Sequence, residues 1–130
     1  MSAFTIVNIM EVEGSAPDPN AERNAVFTRG KIDSEHVGVS YFRYGPNVRA
    51  NMGHSHREQE EVYVVISGSG RVKLDDEIHD LKQWDVVRVA PTTVRAFEGG
   101  PNGMELVIAA SDRPDGGDGV RVEDFWPNDA

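Results

Sequence analysis

The sequence predicts an all-β domain, a barrel or sandwich of short strands. Three observations carry this expectation. Helical periodicity is scarce along the chain. β-branched and aromatic residues fill runs of about 5–8 residues. Turn residues punctuate those runs at regular intervals, the pattern of sheet packed on sheet. A chain of 130 residues makes one domain, able to bury a single core without disulfides.

From the N-terminus, MSAFTIVNIMEVEG reads as an opening strand and DPNAERN as a polar loop with turn residues. NAVFTRGKID and HVGVSYFRYGP follow as strands. EEVYVVISG is apolar on both faces, which suits a sheet covered on each side. RVKL, a turn at Asp75-Asp76 and EIHDL make a hairpin. DVVRVAP, TVRAFEGG and GMELVIAA continue the series, broken by Pro91, Gly99-Gly100 and Pro101. Trp84, just ahead of a strand, reads as a packing residue. Residues 1–110 form the barrel and 111–130 an acidic tail with six acidic and two basic residues. Phe125 and Trp126 are too apolar for a free tail, so they dock on the barrel or on a second subunit.

Composition narrows the function. Thirteen Lys plus Arg against twenty-two Asp plus Glu give a net charge of −9, which disfavours nucleic acid and anionic membranes as partners. There is no cysteine, so a thiolate nucleophile and a Cys-ligated metal are both excluded. The start shows neither a basic leader nor a long apolar run, so a cytoplasmic protein is the expectation.

The chemistry concentrates in GHSHREQEEVYVVISGSG, residues 53–70. In a strand His54 and His56 point to the same face and present two imidazoles to one point. After a four-residue turn Glu61 opens the next strand and can return a carboxylate there. Two histidines and one carboxylate leave open positions on an ion and suit Fe, Mn, Ni, Co or Zn. Glu58, Gln59 and Glu60 read as a solvated turn, with Gln59 near enough to reach the site. Tyr63 shares the face of Glu61; Thr93 and Phe97 share that of Arg95. Such residues line a cavity if the barrel holds one. His36 and His79 stand alone and read as surface or edge residues.

His54-x-His56, four residues, Glu61, six residues and Gly68 resemble the first motif of the cupin superfamily, and the likeness extends from YFRYGPNVRA to MELVIAA. It implies a jelly-roll β-barrel with His54, His56 and Glu61 as inward metal ligands, a tight turn at Gly68 and Gly70, and a homodimer. Two departures stand out. Val48 occupies the position, six residues before His54, where cupins usually carry glycine, although neighbouring Asn47 tolerates a left-handed turn. In WDVVRVAPTTVRAFEGG, Arg95 falls where the family's fourth ligand, a histidine, is expected; Thr92 and Trp84 replace its glycines.

Arginine cannot ligate a metal, because guanidinium stays protonated and has no free lone pair. An inward Arg95 can instead clamp a carboxylate or phosphate through paired hydrogen bonds. The leading expectation is a metal-dependent enzyme, dioxygenase- or isomerase-like, on a small organic and possibly anionic molecule, with Arg95, Tyr63, Phe97 and Gln59 around the substrate. The rival expectations are a metal-free binding or sensing module and an interaction module using the acidic tail. The fold alone chooses none of them.

Overall fold

The structure, a computed structural model, describes residues 3–16 and 21–128. Eight strands are described: β1 (Arg23–Phe27), β2 (Gly38–Tyr44), β3 (Gly53–His56), β4 (Glu61–Leu74), β5 (Glu77–Lys82), β6 (Val86–Val89), β7 (Arg95–Ala110) and β8 (Gly119–Val122). The only helical turn among the described residues is a 3-10 turn at Ile9–Glu11, where the Asn8 side chain accepts from the Met10 amide. No described helix is long and apolar enough to cross a membrane.

All pairings are antiparallel, and the sheet curls around two long strands, β4 and β7. One half runs β1-β2-β7-β4-β6, using Met104–Ala110 of β7 and Glu61–Gly68 of β4. The other half uses Arg95–Gly99 of β7 and Gly70–Leu74 of β4, with β5 on one flank and β3 and β8 on the other. Between the halves lie Tyr63, Val65, Leu106 and Ile108 from one and Val72 and Phe97 from the other, each at most 2 % exposed. Burying a side chain of this kind stabilises by about 1.5–3 kcal/mol. This is the all-β barrel that the strand pattern predicts, with the jelly-roll form that the cupin resemblance implies.

Several local expectations differ from the structure. No turn forms at Gly68 and Gly70; β4 continues through them with register shifts against β7. Gly68 has φ +75, and a Cβ there would lie 2.1 Å from the Gly103 carbonyl oxygen, so glycine lets the two long strands cross at the bend. β7 likewise runs unbroken through Gly99-Gly100 and Pro101, since residues 100–103 have no β4 partner and proline's missing N–H costs nothing. The opening segment is not a strand: among the described residues it pairs with no edge, and Phe4 and Ile6 remain exposed. Trp84 is not a packing residue; it is 67 % exposed at φ 73, a conformation suited to the glycine it replaces. Part of the expected DPNAERN loop, residues 17–20, lies outside the described residues.

The hairpin at Asp75-Asp76 forms, with Asp75 at φ 51 and its carboxylate accepting from the Val94 amide. After β8 the chain returns over the barrel, where Trp126 is 1 % exposed. Arg49 and Arg71 lie 4.6 and 5.4 Å from its ring centroid, and Glu98 accepts from both guanidinium groups at 2.7 and 2.8 Å. Lys73 donates to the Phe125 carbonyl at 2.6 Å.

Candidate metal centre

β3 is short, and its alternation decides the site. Gly53 and Ser55 are buried on one face, while His54 and His56 project from the other with ring centroids 5.1 Å apart. Glu61, first residue of β4, brings its Oε1 to 3.6 Å from His54 Nε2 and 3.5 Å from His56 Nε2. One ligand atom from each residue lies within 4.8 Å of the others, making this a possible metal site.

Asp118, in the loop before β8, fixes the second histidine. Its Oδ1 is 2.8 Å from His56 Nδ1, and its Oδ2 accepts from the amides of Glu58 and Gln59 at 2.7 and 2.8 Å. A carboxylate only accepts, so Nδ1 carries a hydrogen, and Nε2 is the ring atom left facing Glu61. That Nε2 is buried and has no hydrogen-bond partner. A buried polar atom left unpartnered costs free energy, and a cation bound to the unprotonated Nε2 would relieve the cost. The donor set therefore fits a divalent ion, with Asp118 as the outer carboxylate that metal-bound histidines commonly use. Sequence reasoning missed Asp118; its one local signal is an aspartate between glycines, Gly117 and Gly119.

The charges are closely coupled. Burial alone would raise the Glu61 carboxyl, but contacts from His54, His56 and Tyr63 outweigh it and hold that carboxyl far below the usual carboxylate range. The Glu61 carboxylate in turn raises His56 against the opposing effect of burial, with help from Asp118. Asp118 is held low: burial is outweighed by the two amides and by His56.

Arg95 is paired in register with His54 and its side chain is fully buried. Its guanidinium donates to the carbonyls of Ala90 at 3.1 Å and His54 at 3.5 Å. Nη1 is 3.9 Å from Glu61 Oε1, and Nε has no partner. Tyr63 donates to Glu61 Oε1 at 2.6 Å, and burial followed by the Glu61 charge raises its phenol. Gln59 is not part of a solvated turn; it is 6 % exposed and its amide donates to the Ser111 carbonyl. His36 and His79 are on the surface, beside Asp112 and Glu77.

Two cavities open on the site from different sides. One, of about 520 Å³, is walled by Phe27, Phe42, Tyr44 and Phe97 and reaches Arg95 and His54. The other, of about 620 Å³, contains Arg29, Arg113, Ser40 and Gln59. His56, Glu61 and Phe27 line both. Thr93 lines neither.

No protein-family model matches the sequence, and no curated protein matches it. Solved structures do match. The chain is similar to Pac13, a nucleoside dehydratase, from Streptomyces, with a TM-score of 0.74 and 16 % identity over 94 % of this chain and 93 % of that one. It is similar to a cupin protein from Bacteroides fragilis (TM-score 0.69, 19 % identity, 86 % of each chain). It also resembles a variant of Bacillus subtilis oxalate decarboxylase, with a TM-score of 0.73 and 18 % identity over 91 % of this chain and 33 % of that chain. At these identities the likeness shows the fold, and the fold is that of the cupins.

Proposed function

We propose that His54, His56 and Glu61 hold a divalent metal ion and that the protein is a metal-dependent enzyme acting on a small organic molecule. The observation that carries this is the buried, unpartnered His56 Nε2, aimed at Glu61 and held there by Asp118. Solved structures of the same fold include a nucleoside dehydratase and an oxalate decarboxylase, which supports chemistry on small molecules. Three protein ligands leave positions open, and a bound ion would supply a Lewis acid there.

The chain's own residues shape what reaches that point. Phe97 and Arg95 line the aromatic cavity and Gln59 the other, where each would face a molecule bound there. Tyr63 acts through Glu61, holding the carboxylate by its hydroxyl and leaving the second oxygen available. Arg95 supplies the countercharge to Glu61 from the position where cupins carry a fourth ligand.

That arginine also supports a second reading, a metal-free binding module in which its guanidinium substitutes for the ion. Elemental mass spectrometry of untagged purified protein separates the two. Near-stoichiometric Fe, Mn, Ni, Co or Zn, lost in both His54→Ala and His56→Ala, is the expected result. No metal as isolated, and none taken up from solution, leaves the binding module.

A further inference from the structure

The 620 Å³ cavity contains two arginines that no part of the metal reading uses. Arg113 is exposed, and among the described residues it makes no hydrogen bond or ion pair. Arg29 is partly buried and anchored at one end, its Nη2 donating to the Ser111 carbonyl at 2.6 Å. Each guanidinium lies against a glycine. A Cβ on Gly38 would fall 2.5 Å from Arg29 Nη2, and one on Gly117 would fall 2.9 Å from Arg113 Nη2. Bare backbone at these points leaves room for both guanidinium groups.

The cavity's acidic groups are Asp33 and Glu61. Glu61 is already faced by two histidines, Tyr63 and Arg95, which leaves Asp33 as the one carboxylate set against two arginines. The aromatic cavity offers Phe42, Tyr44 and Phe97, with no carboxylate beyond Glu61; of its arginines, Arg43 donates to the Ala21 carbonyl, Arg95 to those of Ala90 and His54, and Arg23 is exposed. Phe27 borders both spaces and packs edge-on against Phe42 at 5.7 Å.

We infer that the site takes an amphipathic organic anion, its apolar or aromatic body in the cavity of Phe42 and Phe97 and its oxyanion between Arg29 and Arg113. The inference rests on the reading of His54, His56 and Glu61 as the reacting centre, since His56 and Glu61 line both cavities. It makes Arg29 and Arg113 the specificity-determining residues. A planar guanidinium matches carboxylate and phosphate oxygens alike, so the shared chemistry is the oxyanion.

The test is calorimetric titration of the full chain with 3-phenylpropionate, benzyl phosphate and neutral 3-phenylpropanol. One of the two anions should bind at least tenfold tighter than the alcohol, and which one does so identifies the oxyanion. Arg113→Gln and Arg29→Gln should each weaken that anion by about tenfold to a hundredfold, as loss of a charged hydrogen bond requires. Gly38→Ala keeps every charge but displaces Arg29, and should weaken the same anion. Arg113 makes no structural bond, so its variant keeps the test independent of folding. Equal binding of alcohol and anions, no binding of any probe, or anion binding unchanged in Arg113→Gln and Arg29→Gln overturns the inference. Metal content, measured on the same samples, judges the other reading separately: arginine-dependent anion binding without metal sinks the metal centre and leaves the anion subsite standing.

Discussion

Asp118 gives the sharpest prediction, because one side chain supports both the fold and the site. Its carboxylate is 4 % exposed and takes three hydrogen bonds, from His56 Nδ1 and from the amides of Glu58 and Gln59. Asp118→Ala strands two backbone amides at about 1–3 kcal/mol each, or about 2–6 kcal/mol together. Asp118→Asn, with its oxygen on the two amides, keeps both of those bonds and loses only the one to His56, so it should cost much less stability than Asp118→Ala. Both variants free the His56 ring to turn, and loss of such an outer carboxylate weakens metal by about tenfold to a hundredfold. Urea unfolding of the metal-free proteins gives the first quantity, and Zn²⁺ competition against a chromophoric chelator gives the second. A variant Asp118→Asn that loses stability yet binds Zn²⁺ like wild type refutes the reasoning: Asp118 would then be only a brace for the loop.

Arg95→Met removes a positive charge 3.9 Å from Glu61 Oε1. At an effective dielectric near 20 that attraction to Glu61 is worth about 4 kcal/mol, and a cation must compete with it for the carboxylate, so divalent-ion affinity should rise at least tenfold in the same chelator competition. At Glu98, burial alone would raise the carboxyl, but Arg49 and Arg71 prevail and hold it below its ordinary value of 4.5. A depressed carboxyl stabilises above its unfolded pKa and loses that contribution as pH falls through the folded one. The stability gap between wild type and Glu98→Gln, read from thermal melts, should therefore be full at pH 7 and shrink below about pH 4.5. Burial pushes the Tyr44 phenol from 10.0 up to about 12, so the neutral form is favoured in the fold. Stability should fall as pH rises from 10 toward 12, and Tyr44→Phe should flatten that fall.

The clustering of the candidate site was legible because its geometry is local: period-2 alternation in four residues aims His54 and His56 together, and a short turn returns Glu61. The barrel was legible from strand-length apolar runs. What escaped depends on distant pairings. Gly68, Gly70, Gly99 and Pro101 look like turn residues, yet they mark the bend where two long strands cross, which only the partner strand reveals. The alternation of Phe4 and Ile6 promises a strand, but a strand needs an edge to pair with. Asp118 lies 62 residues from His56 in a glycine-rich stretch without periodicity, so no local pattern distinguishes it from a solvated loop carboxylate.

The central claim is that one ion sits among His54, His56 and Glu61. Crystals of untagged protein, grown with the metal it carries and measured at that metal's absorption edge, test this most directly. The account predicts one anomalous peak about 2.0–2.2 Å from His54 Nε2, His56 Nε2 and a Glu61 carboxylate oxygen. Well-ordered side chains at these three positions with no anomalous density between them, or a peak held by other residues, would contradict it.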